Sequence, residues 1–141
     1  MTAGRVFVDT GAWYAVQIVN DRHHATAQSV LRELVESEVP IVTSNLVVGE
    51  TYTLLRTAKG YREAKRFLDV LGQSRKLERL VITEYLERKA HEILAQYTDH
   101  PFSFVDATSF ALMRQQRIQH AFAFDAHFVT AGFLRIPARS S

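Results

Sequence analysis

Val6-Phe7-Val8-Asp9-Thr10-Gly11-Ala12-Trp13 runs from three apolar residues straight into a carboxylate, a hydroxyl and a glycine. A short unbroken apolar run suits a strand covered on both faces, as in a parallel sheet. The residues that follow, Ala12 to Gln17, suit a helix better than a second strand. Strand, acid-bearing turn and helix together are the opening unit of an α/β fold.

Asp-Thr-Gly is also the active-site tripeptide of aspartic proteases. Those enzymes are nearly all β and need a flap hairpin after the motif. This chain has no second Asp-Thr-Gly, so a dyad would require a symmetric dimer. Asp9 therefore calls for another role, and the other carboxylates decide which.

Further along, a helix is expected over 24–38, with Ala27, Val30, Leu31, Leu34 and Val35 on one stripe. Pro40 ends it and 41–43 is a second strand. Ser44 caps a helix reaching about Ala58, which Gly60 breaks. A helix over 62–74 turns Phe67, Leu68 and Leu71 inward. Residues 80–82 are a third strand, and Thr83 caps a helix with Glu84 and Glu87 in its first turn. After a loop at 98–101, Ser103 opens a helix to about Gln116. Residues 121–124 form a fourth strand ending at Asp125, and a short helix and a strand over 133–136 follow. Strands alternating with helices imply a parallel sheet with helices on both sides.

The 141 residues fit one domain, and 47% hydrophobic against 23% charged residues is enough to bury a core. Without cysteine there is no thiol nucleophile, disulfide framework or Cys-based zinc site. No leader and no membrane span is expected, which points to a cytoplasmic protein. Between Thr53 and Arg79 stand eight Lys/Arg against three acids, a net +5 that leaves −3 for the rest. Such a bias permits a polyanionic partner, though on charge alone a solvated helix face is the ordinary explanation.

Four acids stand out. Asp9 and Asp125 each follow a strand, where parallel sheets bind ligands, yet each could simply cap the next helix. Glu50 falls on the expected stripe Val47, Thr51, Leu54, Leu55, Ala58, where a carboxylate needs a cation or hydrogen bonds; an arginine partner would explain it. Asp106 completes a capping box with Ser103 and also shares a face with Phe110 and Met113. Gathered in one cleft, the four would repel one another without a cation. An all-oxygen set suits Mg²⁺ or Mn²⁺.

VFVDTGAW, SNLVVGETYTLL, FSFVDATSFALM and FAFDAHFVTAGF resemble, in order and over nearly the whole chain, the PIN-domain ribonucleases. More narrowly, they resemble the VapC-type toxins of bacterial toxin–antitoxin pairs. The resemblance implies a single three-layer PIN-like domain over 1–141 that hydrolyses RNA phosphodiesters with Mg²⁺ or Mn²⁺. It places the family's metal ligands on Asp9, Glu50, Asp106 and Asp125, and its small hydroxyl residue on Thr10. It implies a water nucleophile, a cognate antitoxin and a homodimer. Lys and Arg between Arg56 and Arg79 are the candidates for the phosphate backbone.

Two rivals remain in view. A phosphatase with Asp9 as nucleophile would carry a second Asp where Gly11 stands. A PIN-like module that binds RNA without cutting it would have no use for four acids. Among other residues, His23 and His24 are expected at the surface, His127 in packing or solvent, and Trp13 in the core.

Overall fold

The structure, a computed structural model, describes residues 4–138. Its elements in chain order are β1 (Val6–Val8), α1 (Thr10–Gln17), α2 (His24–Glu36), β2 (Ile41–Ser44), α3 (Asn45–Lys59), α4 (Tyr61–Gln73), β3 (Leu77–Leu80), α5 (Glu84–Gln96), α6 (Phe104–Gln116), β4 (His120–Phe122), α7 (His127–Thr130) and β5 (Leu134–Ile136). The five strands form one parallel sheet in the order β3-β2-β1-β4-β5. No helix among the described residues is long and apolar enough to cross a membrane.

This order sets the position of the cleft. From β1 the chain moves outward through β2 to β3, then returns to place β4 on the other side of β1. Right-handed crossovers moving in opposite directions put their helices on opposite faces. One layer is thus α1 to α4, the other α5 to α7. Between β1 and β4 the strand order reverses, and the carboxyl ends of the strands part into a crevice there.

The central strands are buried on both faces, as their unbroken apolar runs require: Val6, Phe7, Val8 and Val42 have no exposed surface. On one side Phe7, Phe110 and Phe128 pack ring to ring, with Phe110 edge-on to Phe128 at 5.1 Å. On the other, Trp13 meets Phe67 edge-on at 5.9 Å and its Nε1 donates to Thr43 Oγ1 at 3.3 Å. Ser44, Thr83 and Ser103 cap their helices as expected. Gly60, at φ 95°, makes the turn from α3 to α4, a conformation in which a Cβ is strained.

Several expectations need correction. The third strand is Leu77–Leu80, three residues earlier than expected. β2 ends at Ser44, where α3 begins, so nothing pairs with the chain beyond Leu80. The Ile82 N–H is taken by the Asn45 side chain at 2.7 Å, and Val81 is exposed. The fourth strand stops at Phe122, so Asp125 lies in the turn before α7, not at a strand end. Val35, Leu54 and Leu68 are exposed, and the buried stripe of α3 narrows to Val47, Val48, Thr51 and Leu55. Alongside α3 lie mainly α4 and α1, so its outer positions meet solvent.

Candidate active site

Asp9 leaves β1 and occupies the N-cap position of α1, but its side chain makes no capping bond there. A simple cap therefore does not explain it. The residue is 5% exposed. Its carboxyl is pushed up to about 8 by burial first, then by the charges of Asp125 and Asp106, with a smaller push from Glu50; the Thr10 N–H works the other way. Acids from three distant segments thus face Asp9 closely enough to act on its charge beside the β1–β4 crevice.

The partners of the other three are specific. Thr10 Oγ1 donates to Glu50 Oε1 at 2.5 Å, so the half-buried glutamate is satisfied by the hydroxyl beside Asp9 and not by an arginine. Asp106 closes the capping box: its Oδ2 accepts the Ser103 N–H at 2.9 Å while Ser103 Oγ accepts the Asp106 N–H at 2.9 Å. The same Oδ2 meets His127 Nδ1 at 2.9 Å. Asp125 Oδ1 accepts the His127 N–H at 2.9 Å, which folds the turn so that His127 can reach back to Asp106. Arg135 secures that turn from below, its guanidinium donating to the Asp125 carbonyl at 2.9 Å and the Phe124 carbonyl at 3.3 Å.

His127, two residues after Asp125 and expected in packing or solvent with contact to substrate as the alternative, instead bonds the Asp106 side chain. Only the turn geometry brings it to Asp106, and its spacing from Asp125 carries no such signal. His23 is a second correction: expected at the surface, it is buried, with its ring stacked on Phe124. Its neighbour His24 is half-buried, with Nδ1 2.8 Å from the Ala15 carbonyl.

A family model for the PIN domain matches residues 6–134. The chain belongs to the PIN-domain family. It is 42% identical over 136 residues to the 23S rRNA-specific endonuclease VapC20 of Mycobacterium tuberculosis, an alignment spanning 93% of this chain and 97% of that protein. The crystal structure of VapC20, described as a sarcin–ricin loop cleaving toxin, superposes with a TM-score of 0.82 at 41% identity, covering 91% of this chain and 95% of the other. FitAcB of Neisseria gonorrhoeae shares the fold at a TM-score of 0.67 and 14% identity, over 92% of this chain and 95% of its own. A PIN domain accounts for the parallel sheet and the two helical layers.

The donors of this PIN domain fit a hard divalent cation in kind. All are carboxylate oxygens, and Asp106 Oδ1, Asp125 Oδ2 and Glu50 Oε2 carry no hydrogen bond among the described residues. The high proton affinity of Asp9 comes first from burial and then from the negative charges of Asp125 and Asp106, both of which a bound cation would offset. As they stand, no three His, Asp or Glu side chains among the described residues gather tightly enough to enclose an ion. Asp106 and Asp125 are instead engaged with their own turns, and would have to close on one.

Proposed function

We propose that this PIN domain is an endoribonuclease that hydrolyses phosphodiester bonds in RNA, with Mg²⁺ or Mn²⁺ held by Asp9, Asp106, Asp125 and Glu50. The observation that carries this reading is that three acids, Asp106, Asp125 and Glu50, face the buried Asp9 at the sheet's switch point. Bound there, the cation supplies charge neutralisation at the scissile phosphate and activation of the attacking water. The chain's own groups then divide the remaining tasks. Asp9, buried and central, would give up its proton on holding the cation. Thr10 fixes Glu50 through one oxygen and leaves Oε2 to orient the water. The Ser103 capping box and His127 orient Asp106.

The kinship with VapC20 favours 23S rRNA and its sarcin–ricin loop as substrate, and a toxin's place in a toxin–antitoxin pair. The protein acts in the cytoplasm as a homodimer in this reading. An apolar groove beside Glu50, lined by Leu46, Leu54, Phe104 and Val105, suits a segment of a cognate antitoxin that shuts the cleft. Incubation of purified protein with ribosomes and Mn²⁺ should yield one cut in 23S rRNA. Asp9→Asn or Asp106→Asn should abolish it with the fold retained, and EDTA should do the same to wild type. Equal turnover by either variant, with contaminating nuclease excluded, would sink the assignment.

A further inference from the structure

The turn before α2 carries a cation that the catalytic description leaves unused. Asp21 Oδ2 accepts the His23 N–H at 2.9 Å and closes the turn. His23, 8% exposed, lays its ring on Phe124 with centroids 4.2 Å apart and planes 8° from parallel. Phe124 directly precedes Asp125, so the stack seats this turn against the segment that delivers an acid to the cleft. On the other flank, Lys59 Nζ donates to Asn20 Oδ1 at 3.3 Å, which ties the same turn to the start of the basic α3–α4 corner.

Between these two attachments, Arg22 Nε donates to His23 Nε2 at 3.0 Å. With Nε2 accepting, the ring is neutral and its one hydrogen sits on Nδ1. That Nδ1 is the one buried side-chain nitrogen or oxygen among the described residues without a hydrogen-bond partner. A phenylalanine would stack on Phe124 equally well and leave no orphan. What the imidazole adds is the acceptor that holds Arg22. Arg22 is exposed and makes no ion pair among the described residues, and its two terminal nitrogens carry no hydrogen bond there, which leaves them for a ligand. A planar fork with one nitrogen already anchored matches a phosphate and loses little freedom on binding it.

We propose that Arg22 grips a backbone phosphate of the RNA on the path from the acid cleft to the α3–α4 corner, and that His23 is the positioning residue that presents it. The inference rests on the ribonuclease reading above. Its test is steady-state cleavage in Mn²⁺ of an RNA hairpin with the sarcin–ricin loop sequence, across a KCl series. Arg22→Ala should raise KM about tenfold, the worth of a charge-assisted contact, with kcat little changed. The salt dependence of kcat/KM should flatten by about one unit of logarithmic slope. Arg22→Lys should keep the slope, since it keeps the charge, and lose part of the affinity. His23→Phe should melt no lower than wild type yet raise KM as Arg22→Ala does, and the double variant should be no worse than either.

Wild-type cleavage with an unchanged KM and slope in Arg22→Ala overturns the inference and leaves the ribonuclease reading standing. Failure of the wild type to cut any RNA removes the ribonuclease reading first. A normal KM in a folded His23→Phe refutes the positioning role. Arg22 is exposed, so its variants fold and answer the question however His23→Phe behaves.

Discussion

In the unfolded chain the Asp9 carboxyl titrates near 3.8; in the folded protein, without metal, burial and the charges of Asp125, Asp106 and Glu50 carry it to about 8. Between those values the folded state holds a proton that the unfolded state has released. The resulting contribution to stability is fully present below 3.8 and is lost as pH rises to about 8, with no further change beyond. Thermal melts in EDTA across that window should show the decline in wild type and its absence in Asp9→Asn. An equal decline in both would assign it to another group. Asp125→Asn keeps the Oδ1 acceptor of its turn and removes one of the charges facing Asp9. In EDTA it should melt at or above wild type. Under a Mn²⁺ titration at fixed ionic strength, wild type should gain about 2.7 kcal/mol at a hundredfold excess over Kd, and the variant less. Equal gains would remove Asp125 from the ligand set. At this scale the sequence was legible where chemistry is local: the capping box of Asp106 and the serine and threonine caps follow from spacing alone. The Thr10–Glu50 and His127–Asp106 contacts join residues far apart in the chain, and spacing carries no trace of them.

At the scale of the element, α6 has a double duty. Its first turn is set by Ser103 and Asp106 reciprocally, and the second of these also faces the cleft. Ser103→Ala should cost about 1 kcal/mol of stability by freeing the helix N-terminus. Cleavage should change little, because Asp106 Oδ2 keeps both partners that aim it, the Ser103 backbone N–H and His127 Nδ1. Chemical denaturation and the ribosome assay measure the two separately, and a lowered kcat in the folded variant would mean that the serine hydroxyl, through the Asp106 N–H, helps to orient the acid. Strands were harder to place than helices. The buried run at 6–8 announces itself, whereas β3 lies at the sheet edge with Glu78 and Arg79 exposed. Its alternation is too polar to stand out, and the apolar residues 80–82 just beyond it drew the eye instead.

Over the whole molecule, charge is sorted by region: acids at the carboxyl end of the central strands, cations on the α3–α4 pair. Replacing Arg62, Lys65 and Arg66 together by Ala should weaken RNA binding across sequences and flatten its salt dependence, with metal affinity unchanged. Lys65 is paired with Asp69 at 2.7 Å and Arg66 with Glu63 at 3.5 Å, so the slope should fall by fewer than three contacts' worth. An unaltered slope would make this stretch a solvated surface. The architecture itself was legible, because alternating elements and right-handed crossovers leave few arrangements; the strand order, and with it the meeting of Asp9 and Asp125, required the packed sheet.

The acids come from positions 9, 50, 106 and 125, and the last two reach the cleft only when β4 lies against β1. A chain still being translated, with α1 and α3 made and β4 not yet in the sheet, carries Asp9 and Glu50 without the partners that would make them a nuclease. An endoribonuclease built this way stays inactive until late in its own synthesis. Any protease that nicks the chain between Glu50 and Asp125 and lets the pieces part disarms it in one cut.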